Sequence, residues 1–141
     1  MKLRVGILLS VMFAVACGET VESRYPDRAA AVADGAIRRG WLPEWLPSSA
    51  TNIEEWHDLD TNRTVASFSY EASDAPVLPS ECRFPDPRTA KIWAEKKAPE
   101  SVSSSVRVFR CPEYSETDRA FVLWVVVEEE TRRVYLERTA A

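Results

Sequence analysis

The residue types able to do chemistry gather in one short run, His57-Asp58-Leu59-Asp60-Thr61-Asn62. His57 is the single histidine of the chain, and a histidine beside carboxylates is the minimum set for general acid–base work. On a strand, however, His57 and Asp58 point to opposite faces and converge only where the chain bulges. Asp60 and Asn62 have turn chemistry, in which short polar side chains bond their own backbone. Asp58, Asp60 and Asn62 also suggest a cation loop, but the glycine and closing glutamate of a calcium loop are missing. No Gly-x-Ser-x-Gly, phosphate loop or His-Glu-x-x-His occurs. Asn62-Arg63-Thr64 fits the N-glycosylation sequon. These residues favour a non-catalytic protein with no cofactor and no metal. The alternative is a small enzyme with a site around His57, Asp58 and Asp60.

The second reactive set is Cys17, Cys82 and Cys111. No Cys-x-x-Cys spacing is present, and no cysteine lies near His57 in sequence, so redox and zinc motifs are absent. In an exported chain, Cys82 and Cys111 are expected to form a disulfide, leaving Cys17 over. Two buried free thiols are the alternative.

The start of the chain bears on export. Lys2 and Arg4 precede an apolar run over 5–16. A membrane-crossing helix needs roughly 20 apolar residues, so this run has the length of a signal-peptide core. It ends Ala14-Val15-Ala16-Cys17-Gly18, which resembles the lipobox of bacterial lipoproteins. The resemblance implies cleavage before Cys17, diacylglycerol on its sulfur and a palmitate-type chain on its new amine. One departure is Ala14, where that family prefers Leu. The chain then divides into a signal peptide (1–16), a lipidated tether (17–24) and one globular domain (25–139). By the same resemblance, Gly18 in place of Asp implies the outer membrane in a host that has one. An ordinary cleavage after Ala16 would instead give a secreted protein.

The composition fits one domain and excludes several classes. The 141 residues are 45% apolar and 28% charged, so neither a disordered chain nor a long coiled coil is indicated. A net charge of −4 and the lack of a basic run argue against nucleic acid as a partner.

Several elements must position these residues. Ala29, Val32, Ala33, Ala36 and Ile37 repeat at helical spacing, which predicts a helix over 26–39 with Pro26 at its start and Gly40 at its stop. The doubled Trp-Leu-Pro unit over 41–47 excludes regular structure and predicts a lid, or alternatively an aromatic ligand platform. Residues 53–59 and 64–70 read as a hairpin whose first strand is an edge or carries a bulge. A Pro-rich loop (72–87) leads to a short helix capped by Asp86 and Pro87. After a loop at 101–105, strands at 106–111, 121–127 and 132–138 form a meander. The expected fold is α+β: one main N-terminal helix on an antiparallel sheet of about five strands, with a short second helix.

The stretch over 33–62, with GWLPEWLPSSA followed by HDLDTN, resembles a block found in small bacterial envelope proteins and lipoproteins, the YbbD-type head domain. The resemblance implies an envelope setting and brings no activity. The expected binding surface is Trp41, Trp45, His57, Asp58, Asp60 and Asn62. Its partners would be the membrane, through lipid on Cys17, and an envelope protein or glycan.

Overall fold

Alternation of period two governs most of the chain, as the computed structural model shows for residues 18–99, 105–114 and 120–141. The expected signal peptide (1–16), Cys17 and most of the 101–105 loop lie outside these described residues. The elements in order are β1 (Thr20–Asp27), α1 (Arg28–Asp34), β2 (Thr51–Asp58), β3 (Thr64–Ser69), α2 (Pro87–Lys97), β4 (Val106–Tyr114), β5 (Ala120–Glu128) and β6 (Arg133–Ala140). The strands form one antiparallel sheet in the order β1-β2-β3-β6-β5-β4. It consists of two meanders joined where β3 pairs with β6, with Thr64 opposite Arg138 and Phe68 opposite Val134.

This sheet overturns the expected fold of a main N-terminal helix on about five strands. The sixth strand is β1, whose first half, Thr20 to Arg24, reads as a polar tether. It is an edge strand pairing only with β2, so half its side chains face water and its sequence carries little apolar signal. The N-terminal helix shrinks to seven residues. Asp27 caps it by accepting from the Ala30 amide at 2.9 Å, which leaves Pro26 in the strand. Gly35 ends it with φ 82°, a left-handed conformation that glycine adopts without steric cost. The alanine stripe is not the buried face: Ala29, Val32 and Ala33 are exposed, while Ala31 is buried.

The inner face of the sheet carries the core. Phe68, Val125, Val134, Leu136 and Ile53 are covered by the coil of residues 36–50 through Ala36, Leu42, Leu46 and Ala50. Burying the two leucines contributes roughly 2–3 kcal/mol each. The lid expected at 41–47 is therefore present, held mainly by Leu42 and Leu46, with Trp41 and Trp45 only partly buried.

On the outer face α2 packs against β4 and β5, and Trp93 stacks on Trp124 at 4.7 Å between centroids. Asp86 caps α2 by accepting from the amides of Arg88 and Thr89. Cys82 and Cys111 are joined, with S–S 2.03 Å, tying the Pro-rich loop to β4. Beside that bond Arg83 and Arg110 exchange two backbone hydrogen bonds (3.0 and 2.8 Å), which pairs one residue of the β4 edge.

Candidate functional site

Position along β2 decides where each candidate side chain goes. The register shifts between Thr51 and Glu54, and Asn52 takes φ 48°, the bulge anticipated for this strand. Beyond it Ile53, Glu55 and His57 face the core, while Glu54, Trp56 and Asp58 face outward. The strand is not an edge, because β1 covers its far side, with Val21 opposite His57.

The inward group is closed. His57 and Glu55 are 2% and 3% exposed, and His57 Nδ1 lies 2.7 Å from Glu55 Oε1. The Trp41 ring stacks on the imidazole at 3.8 Å, and the Arg39 guanidinium lies over Trp41, also at 3.8 Å. Arg39 is held by Asp34 Oδ2 at 2.5 Å, and the Tyr25 hydroxyl donates to that same oxygen at 2.8 Å. Burial pushes the Glu55 carboxyl above its usual range, opposed by the hydrogen bond and charge of His57. Burial likewise raises Tyr25. Among the described residues no group hydrogen-bonds Glu55 Oε2 or His57 Nε2. The void lined by Trp41, Thr64 and Leu136 is about 10 Å³, room for no more than a single water, and neither His57 nor Glu55 lines it. A histidine so placed fixes the lid to the sheet.

The turn residues behave as local structure. Asp58 Oδ1 accepts from the amides of Asp60 and Thr61 at 2.9 and 3.1 Å, and those bonds, Thr61 first, hold its carboxyl below the usual range. Asn62 takes φ 56°. The six residues expected to share one surface are thus divided. Trp41, Trp45 and His57 belong to the lid and core, and Asp58, Asp60 and Asn62 to the β2–β3 turn. Among the described residues no cluster of three His, Cys, Asp or Glu side chains could hold a metal ion.

An open site lies on the opposite face. Glu22, Arg24, Glu54, Trp56, Val65, Ser67, Tyr135 and Lys97 line a groove of about 290 Å³ on the outer side of β1–β3. Pairing sets its floor: Glu22 lies opposite Trp56 and Trp56 opposite Val65, while Arg24 lies opposite Glu54 and Ser67 opposite Tyr135. Glu54, itself exposed, approaches Arg24 and the half-buried Arg133 only at 4.0 and 3.9 Å, long pairs that leave the carboxylate able to bond elsewhere. At one end Glu137 is fixed by Arg63 (2.9 Å), Lys96 (2.9 Å) and Lys97 (2.7 Å). Burial would raise the Glu137 carboxyl, but hydrogen bonds from Lys97, Lys96 and Arg63 outweigh it and hold it at about 2. A tryptophan among charges of both signs suits a partner with polar groups and some apolar surface. The sequence signal for this groove was the alternation over 53–58, which puts Glu54 and Trp56 on one face.

Residues 19–69 match the family model of the YbbD head domain. No curated protein and no solved structure matches the chain. The matched segment spans β1, α1, the lid, β2 and β3, which is the half of the sheet under the groove. It supplies all of the closed Tyr25–Asp34–Arg39–Trp41–His57–Glu55 group. The rest of the chain adds Lys97 and Tyr135 to the groove wall. Among the described residues no helix is long and apolar enough to cross a membrane.

Proposed function

We propose that this chain is a bacterial envelope lipoprotein, anchored through Cys17, whose YbbD head segment is a non-catalytic binding module with the Trp56 groove as its recognition surface. The observation that carries this reading is the partition of β2. His57, the best candidate for proton transfer, is enclosed with Glu55 under Trp41, whereas Glu54 and Trp56 line an open groove. The lipobox-like run at 14–18 supports export and anchoring to the outer membrane, and the disulfide fits an oxidising compartment. The partner is an envelope protein or a glycan strand. Its test is a photo-crosslinking residue at position 22, on the groove rim, in cells with intact envelopes. A discrete adduct absent from a probe at the exposed Val32 is the expected result. Equal labelling from both positions contradicts a specific recognition surface.

A further inference from the structure

We infer that the tip of the β2–β3 turn, led by Leu59, rests on the surface of a zwitterionic phospholipid bilayer. The inference rests on the reading of Cys17 as the anchor. It adds which end of the domain faces the lipid and which residue touches it.

The first observation is how little chain separates Cys17 from the fold. β1 begins at Thr20, so only Gly18 and Glu19 intervene. The three residue steps from Cys17 to Thr20 span at most ~11 Å, only a few Å more than the ~5–7 Å depth of one headgroup layer. A Cys17 anchored in the acyl region therefore holds the end of β1 within a few Å of the headgroups, with no tether long enough to let the domain turn over.

The second observation is what lies at that end. The Leu59 amide donates to the Glu19 carbonyl at 2.9 Å, and Thr20 lies opposite Asp58. The β2–β3 turn thus stands beside the emerging chain. Leu59 is 48% exposed, an apolar side chain at the head of a turn otherwise made of Asp60, Thr61, Asn62 and Arg63. Facing a membrane, that leucine can enter the interface while the polar turn residues meet headgroups. Asp58, Asp60 and Glu19 outnumber Arg63 there, so the tip is acidic and suits zwitterionic rather than anionic lipid. The opposite end, with residues 129–132 before β6, stands one strand length away, ~25 Å for eight residues.

The test uses the full chain isolated from bacterial membranes and placed in phosphatidylcholine nanodiscs carrying a nitroxide lipid. Amide signals are read by NMR. The expected result is broadening of residues 59–62 with residues 129–132 left sharp. Leu59→Asp, at an exposed position, should weaken that broadening severalfold with the rest of the spectrum unchanged, and anionic lipid should weaken it too. Sharp signals at 59–62 on anchored protein, or equal broadening at both ends, would overturn the inference. Intact mass is measured on the same sample, so that loss of the anchor and failure of the contact are told apart. Where Cys17 proves unmodified it is the one cysteine of the sequence outside the Cys82–Cys111 bond. It is then coupled to a maleimide phospholipid and the same comparison made. Tip broadening in that sample upholds the geometry, and its absence removes it.

Discussion

His57 and Glu55, two residues apart on β2, share a 2.7 Å hydrogen bond in which neither side chain is open to solvent. The pair is sealed by Trp41 and sits opposite β1, and on the proposed function its part is in stability. Burying an ionisable pair is costly and leaves a signature in pH dependence.

Two carboxyls should shape that dependence in opposite ways. Glu55 is raised above its ordinary 4.5, so its contribution to stability is complete below that value and is lost as pH rises through the folded-state value. Glu137 is lowered from 4.5 to about 2, so its contribution is complete above 4.5 and is lost as pH falls toward 2. With Arg63 and Lys96 about half exposed and screened by solvent, the Glu137 shift contributes on the order of 1–2 kcal/mol at neutral pH. Urea unfolding across pH is expected to show Glu137→Gln removing the loss on the acid side. Glu55→Gln should flatten the decline above 4.5. The opposite assignment of the two limbs would contradict these environments.

The two tryptophans near the candidate residues should separate in stability. Trp41→Ala removes the ring stacked on His57 and loosens the lid, at a cost of about 2–4 kcal/mol. Trp56→Ala, on the open groove, should cost under ~1 kcal/mol. Urea midpoints of the two variants check the contrast.

Replacing Cys82 and Cys111 together by Ser should cost about 2–4 kcal/mol, because the bond closes a loop of sequence separation 29 that contains α2. The pairing of Arg83 with Arg110 should weaken with it, and faster amide exchange at Arg110 would report that. Unchanged unfolding midpoint and exchange would show that the loop is held without the bond.

Protein taken from bacterial membranes should begin at Cys17 and carry a diacylglycerol and an acyl chain. Intact-mass analysis reads this directly. A soluble form starting at an unmodified Cys17 would remove the anchor from the account.

Much of the sheet was legible because its apolar periods are strong. The unbroken run within β5, the alternation of Ala66, Phe68 and Tyr70, and the Asp86-Pro87 cap of α2 each announced their elements. β1 was not legible, since Val21, Ser23 and Tyr25 alternate with polar residues on an edge strand and too few of them are apolar. The helix was overread because alanines mark helices regardless of which face is buried, and Gly35 outweighs the periodicity that continues past it. The open groove was not legible for a different reason. Residue types drew attention to His57, but exposure selects its neighbour Trp56, and exposure depends on the strand order.

The central claim is that recognition belongs to the Trp56 groove and that His57 is structural. The most direct measurement is crosslinking from position 22 in intact cells, repeated with Trp56→Ala and with His57→Asn, which keeps a donor toward Glu55. The account predicts that Trp56→Ala abolishes the partner adduct and His57→Asn preserves it. Loss of the adduct in the folded His57→Asn variant, with full capture by Trp56→Ala, would contradict it.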